Sequence, residues 1–145
     1  MSASPRRWAS FTRNTAARYA HVVTASTPPR IEVGLIQLSD IGDGDPLFDL
    51  RIRADQRGRG IGQAAVAWLT EYLFTELPDN TRIEGQTRQG NRAMRAVLES
   101  RGYVKEAHYR EAWPAPDGTA HDSIGYAILR HDWESGTVTL PTWDD

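Results

Sequence analysis

The sequence has no cysteine. Disulfides, thiolate metal sites and cysteine nucleophiles are thereby excluded together. A cysteine-free chain fits a reducing compartment, so a cytoplasmic location is expected. Long apolar runs are also missing. None approaches the roughly 18 residues that a membrane-spanning helix needs, and no membrane association is expected. Arg6, Arg7, Arg13 and Arg18 crowd the start of the chain, but no apolar stretch follows to make a signal peptide. Excess positive charge is absent too: the formal net charge is −2. Bulk electrostatics therefore give no support to a nucleic-acid partner. Lysine is almost missing, with Lys105 alone against many arginines. Compositional bias explains that, but arginine also suits phosphate through its planar, bidentate fork. The four histidines, His21, His108, His121 and His131, lie far apart with no metal-ligand spacing, and no metal site is expected. Internal repeats and low-complexity tracts are absent.

What is present is ordinary for one globular domain. The 145 residues are 39% hydrophobic and 25% charged, enough for a single core. The expected organisation is one domain over 1–145, with an N-terminal helix or arm over 1–17, a core over 18–133 and a tail over 134–145. Trp8 and Phe11, three apart, predict a short helix before residue 17. Residues 18–25 and 31–38 read as two strands of a hairpin across Thr27-Pro28-Pro29. Residues 47–53 alternate, with Phe48, Leu50 and Ile52 on one side and Asp49, Arg51 and Arg53 on the other.

From Gly60 the period becomes helical. Ile61, Ala64, Ala65, Trp68, Leu69, Tyr72 and Leu73 form one stripe, which Pro78 closes. Residues 81–87 read as a strand. Asn91 is a good N-cap for a short helix carrying Met94, Val97 and Leu98 inward, and Gly102 is its stop. Tyr103 to Trp113 reads as a long strand, Pro114 to Gly118 as a turn, and 122–130 as a strand facing inward through Ile124, Tyr126 and Ile128. Val138 and Leu140 suggest a further edge strand. The order of elements predicts a mixed α/β domain, a central mixed sheet flanked by helices.

The stretch Gln56-Arg57-Gly58-Arg59-Gly60-Ile61-Gly62 stands at a strand-to-helix junction. Its glycines let backbone N–H groups turn inward without Cβ atoms in the way. The following helix aims its positive dipole end at the same spot. Such a junction suits a pyrophosphate. The spacing is wrong for a Gly-x-Gly-x-x-Gly dinucleotide fingerprint, and the Gly-Lys-Ser/Thr of a P-loop is absent.

Arg57-x-x-Gly60-x-Gly62 resembles the acetyl-CoA loop of the GNAT N-acetyltransferase superfamily. The later segments support the likeness: Asn91 opening a helix that ends at Arg101-Gly102-Tyr103, the strand with Glu106 and Arg110-Glu111, and the run His121 to Trp133. That last run resembles the branch that acetylates ribosomal-protein N-termini. The resemblance covers roughly 19–133. It implies an acetyl-CoA-dependent N-acetyltransferase acting on a primary amine, by direct attack on the thioester. A protein N-terminus is the leading acceptor and a small-molecule amine the alternative. A non-catalytic acyl-CoA-binding module is the rival from another class. Family members carry a first strand and two helices before the hairpin, whereas about seventeen residues precede it here. A second copy, in a homodimer, is one way to replace what is missing.

The resemblance also assigns roles. Cofactor binding falls to the backbone of Ile52 and Arg53, to Arg57, Gly58, Arg59, Gly60, Ile61 and Gly62, and to Asn91. An amide near Ile52 and Arg53 would stabilise the developing oxyanion. Candidates for the general base are Glu84, Glu111 and, more weakly, Asp49, each able to act through a water. Some relatives have a glutamate at the position of Gln86. The usual acid positions hold Met94 and Leu98, which cannot donate a proton. Tyr109 and Tyr103 are substitutes, although Tyr103 reads more readily as core. The thiolate can also leave unprotonated, since a thiol pKa lies near 8.5. Trp113 is a candidate wall for the acceptor pocket. The acidic cluster Asp40, Asp43, Asp45 and Asp49 has the charge to attract a cationic amine.

Overall fold

A computed structural model describes residues 9–14, 18–24, 32–39, 46–58 and 60–143. In chain order the elements are β1 (Ala9–Asn14), β2 (Arg18–Thr24), β3 (Glu32–Ser39), β4 (Leu47–Ile52), α1 (Ile61–Glu76), β5 (Arg82–Arg88), α2 (Arg92–Ser100), β6 (Val104–Pro114), β7 (Ala120–Leu129) and α3 (Arg130–Ser135), with a 3₁₀ turn at Ala54–Gln56. The strands form one seven-stranded sheet in the order β1-β2-β3-β4-β5-β7-β6. Every neighbouring pair is antiparallel except β4 and β5, which are parallel and joined through α1.

The core lies on one face of this sheet. Ile36, Leu38, Phe48, Leu50, Ile83, Ile124, Tyr126 and Ile128 pack there against Ala65, Val66, Leu69, Leu73 and Phe74 of α1 and Leu98 of α2. Period-two alternation puts Glu84, Gln86 and Arg88 on the other face. Tyr103 is buried; its hydroxyl and that of Thr70 are 2.8 Å apart, and its ring meets Phe48 edge-on at 5.8 Å. Burial pushes its phenol pKa well above the ordinary value, although the Thr70 bond opposes this. Phe48 in turn covers Gly85, where a Cβ would sit 2.6 Å from the ring tip. Arg130 closes the C-terminal end of α1. Its guanidinium donates to the carbonyls of Phe74, Leu77 and Asn80 and lies 4.7 Å from the Phe74 ring centre.

Two expectations change. The helix before residue 17 is replaced, over the described residues, by strand β1, which pairs with β2 from Ala9↔Val22 to Asn14↔Arg18. Two aromatics three apart are a thin helical signal, and the open edge of β2 offers a full ladder instead. Residues 1–8 and 15–17 lie outside the described residues. In the tail, Val138 and Leu140 join no strand. Asp132 at the start of α3 gathers the segment: its carboxylate accepts from the hydroxyls of Thr137 and Thr139 and from the Thr139 amide. Burial alone would raise that carboxyl; these donors, with His131 beside it, outweigh burial and keep it below the ordinary range. Among the described residues, no helix is long and apolar enough to cross a membrane.

Candidate active site

The site begins where the sheet opens. β4 and β5 share only two paired positions, Leu47↔Glu84 and Phe48↔Gly85, and then part. The outer ladders continue: β4 follows β3 to Gly34↔Ile52, and β5 follows β7 to Arg88↔Ser123. Backbone groups alternate sides along a strand. At the paired end the Pro46 carbonyl accepts from the Glu84 amide, on the side of β4 that faces β5, and past the opening the Ile52 carbonyl accepts from Arg57 Nε at 3.3 Å. Leu50 lies between them in register, so its N–H and C=O face the gap as well.

Below the opening lies the glycine loop. Gly58 and Gly60 have φ of +77° and +73°, and a Cβ at either would meet nothing within 4 Å. Their requirement is conformational rather than steric. Gly60 is the N-cap of α1 and supplies no side chain; the first amide to bond back to it is that of Ala64. The amides of Ile61, Gly62 and Gln63 therefore form the donor end of the helix. At Gly62 a Cβ would lie 3.5 Å from Val97, so α1 and α2 approach closely there. Asn91 caps α2, its Oδ1 accepting from the Met94 amide at 3.2 Å.

These parts border one cleft of about 510 Å³. Ile52, Arg57, Gly58, Gly60, Ile61, Gly62 and Asn91 all line it. Phe48, Leu50, Met94, Val97 and Leu98 give it an apolar wall. Arg53 is not among its lining residues; it follows the end of β4 and pairs with Asp55 at 2.8 Å. Arg59 lies outside the described residues. A second hollow of about 240 Å³ includes Gln37, Ser39 and Leu47 in its lining. Phe48, Asp49, Gln86 and Trp113 line both cavities and so form the neck between them.

The candidate acid–base residues separate. Asp49 is the only carboxylate on either cavity among the described residues. One of its oxygens accepts from Arg51 Nε at 3.1 Å. Glu84 lines neither cavity. Its carboxylate receives Arg82 at 3.5 Å and the Gln86 amide at 3.3 Å, and Arg82 also bonds Glu106. Tyr109 and Glu111 lie along a different surface hollow, with His108, Arg110 and Asp122. A bulge accounts for this. β6 pairs with β7 at Tyr109↔Ser123 and next at Trp113↔His121, with extra residues between. Glu111 has a φ of +53°, and its amide donates to Asp122 at 2.9 Å, while His108 Nε2 lies 2.7 Å from the same carboxylate. The Glu111 amide first, and then His108, hold the Asp122 carboxyl below its ordinary range. Past the bulge, Trp113 reaches the neck. Of the acidic cluster, Asp40, Asp43 and Asp45 lie outside the described residues.

The cleft therefore combines a glycine turn with free helix amides, an apolar wall, exposed strand backbone and a carboxylate where it meets the second hollow. Comparison with known proteins gives the family. Residues 2–104 match the acetyltransferase (GNAT) domain family, and the chain belongs to that family. It is similar, at 35% identity over 83 residues, to a Bacillus subtilis (strain 168) protein called "Putative ribosomal N-acetyltransferase YdaF". That match covers 57% of this chain and 44% of the relative, so less than half of the relative's length is spanned. Among solved structures, one titled "Crystal structure of Probable acetyltransferase" matches at 28% identity and a TM-score of 0.64, covering 70% of this chain and 58% of that one. Mutant forms of the Vibrio cholerae spermidine/spermine N-acetyltransferase SpeG share the fold at 21% identity and a TM-score of 0.72, with 84% of this chain and 72% of that one covered.

Proposed function

We propose that the protein is an acetyl-CoA-dependent N-acetyltransferase whose acceptor is a primary amine, with a protein N-terminus as the leading candidate. The single observation behind this reading is the opening between β4 and β5: it joins a glycine-lined helix N-terminus to a neck carrying a carboxylate. The likeness to a protein named as a ribosomal N-acetyltransferase supports the N-terminal acceptor.

The residues fit the cofactor. Two glycines at positive φ keep side chains off the turn, and the amides of Ile61, Gly62 and Gln63 suit a diphosphate. Arg57 braces Ile52 through Nε and leaves its other guanidinium nitrogens for phosphate; Arg59 is assigned the same partner. Met94, Val97 and Leu98 suit the pantetheine arm, and the Asn91 amide nitrogen suits a polar group along it. Acetyl-CoA supplies an activated acetyl thioester. The strand amide of Leu50 or Ile52 polarises a carbonyl oxygen in the gap. Asp49 takes a proton from the ammonium, freeing the nitrogen lone pair. The new bond is N–C and the broken bond C–S; the second amine proton goes to solvent or to the departing sulfur. No side-chain acid is needed, because a thiolate is a tolerable leaving group near neutral pH. Tyr109, Glu111 and Glu84 become weaker candidates for direct proton transfer than Asp49.

A cytoplasmic setting suits the cysteine-free composition. A homodimer suits the acceptor side, because three residues join β1 to β2 and no described helix covers the second face of the sheet. The test follows free thiol while the protein is incubated with acetyl-CoA and a panel of primary amines and N-terminal peptides. Thiol release well above hydrolysis on at least one acceptor is expected, with Asp49→Asn slower by about 10²–10⁴-fold. Tight acetyl-CoA binding with no release on any acceptor would instead establish a binding module.

A further inference from the structure

We infer that Gln86 positions the acceptor amine and that Glu84 sets the orientation in which it does so. This rests on the acetyltransferase reading and adds to it a residue pair.

Gln86 is the first residue of β5 past the last β4 pair, and it lines both cavities at the neck. Its Nε2 donates to Glu84 Oε1 at 3.3 Å. An ionised carboxylate only accepts hydrogen bonds, so the nitrogen end of the Gln86 amide must turn toward it. The carbonyl end then turns away from Glu84. Glu84 is itself fixed, because Arg82 holds its other oxygen at 3.5 Å and also bonds Glu106. Gly125, opposite Gln86 in the ladder, keeps this arrangement open; a Cβ there would lie 3.7 Å from Glu84 Oε1 and 3.1 Å from the Ala107 methyl.

The neck thus presents two kinds of acceptor oxygen, the Gln86 carbonyl and the Asp49 carboxylate. Asp49 Oδ2 is engaged by Arg51. Trp113 is the third polar-tipped residue there, and its ring suits a cation. A primary ammonium has three N–H donors. It can satisfy Gln86 and Asp49 together; once Asp49 has taken its proton, the neutral amine keeps its donation to Gln86 and turns about that bond to aim the freed lone pair at the thioester carbon. Gln86 therefore contributes binding of the acceptor rather than proton transfer.

The experiment is steady-state kinetics of the full chain with acetyl-CoA and the best amine from the panel, alongside calorimetry with acetyl-CoA. Gln86→Met is expected to raise the KM for the amine roughly tenfold or more, the loss expected for a hydrogen bond to a charged group. The kcat should fall much less, and acetyl-CoA affinity should stay within about twofold. Glu84→Gln frees the Gln86 amide to turn over and is expected to raise the same KM in the same direction. The double variant should be no worse than Gln86→Met alone, because Glu84 acts through Gln86. Additive effects of the two changes overturn the link to Glu84. An unchanged amine KM in Gln86→Met, in a protein that is active otherwise, overturns the positioning role alone. Absence of both acetyl-CoA binding and thiol release in the unaltered protein overturns this inference together with the reading beneath it.

Discussion

The glycine loop yields the sharpest prediction, because the molecule contains its own control. Gly60 and Gly118 both hold left-handed backbone, at φ +73° and +85°, and neither has an atom within 4 Å of a built Cβ. Glutamate at either position meets the same backbone cost, about 1–2 kcal/mol for an L-residue in that region. For a domain of this size that corresponds to a fall in Tm of roughly 3–8 °C. Only Gly60 borders the cleft; Gly118 sits in the β6–β7 turn. A carboxylate about 5 Å from a phosphate charge, at an effective dielectric near 20, is repelled by about 3 kcal/mol. Gly60→Glu should therefore weaken acetyl-CoA by at least about 100-fold, while Gly118→Glu leaves it within about twofold. Calorimetry with acetyl-CoA and a thermal melt on both variants make the comparison. Equal affinities in two variants with equal melts would refute the assignment of the diphosphate to this turn.

Two further outcomes follow from the packing. Tyr103→Phe should lower stability by about 1 kcal/mol, the net worth of its buried bond to Thr70, and should leave kcat and its pH profile unchanged; a lost basic limb would restore Tyr103 as a proton donor. Arg130→Met should cost about 2–4 kcal/mol in chemical denaturation, since three carbonyls at the end of α1 lose a charged donor; a loss below about 0.5 kcal/mol would show that solvent serves those carbonyls equally well.

What was legible in the sequence was local. The glycines at 58 and 60 advertise positive φ because little else adopts it cheaply. Asn91 and Gly102 mark both ends of α2, and the cap bond and a φ of +87° are present. The stripe of α1 and the alternation of β4, β5 and β7 needed only neighbours a few residues away. The misread segments had signals that a non-local partner outweighed. Trp8 and Phe11 suggested a helix, yet residues 9–14 gain a ladder on β2. Val138 and Leu140 alternate as a strand would, yet Thr139 between them and Thr137 before them are claimed by Asp132. The candidate bases illustrate the same division. Period two correctly groups Glu84 with Gln86, but which of them reaches the neck depends on where β4 leaves β5. Period two also cannot anticipate the β6 bulge that gives the neck Trp113 and carries Glu111 to another hollow.

That parting of strands has a physical cause, and the site follows from it. Another few residues of parallel ladder would satisfy the backbone of Leu50 and Ile52 within the sheet. Phe48 instead lies across Gly85 at the last pair, pinned from behind by Tyr103, which is itself tied to Thr70 of α1. Beyond that pin, the first turn of α1 meets α2, with Gly62 against Val97, and the N-terminal ends of both helices border the gap. Strand backbone left without a partner takes donors and acceptors from elsewhere, and a helix N-terminus without a capping side chain favours an anion. An elongated ligand with an anionic end, an apolar arm and an amide-like, hydrogen-bonding stem suits both at once. On the acetyl-CoA reading, bound cofactor should therefore stabilise this region more than the β5–β7 half, which hydrogen exchange with and without acetyl-CoA would register.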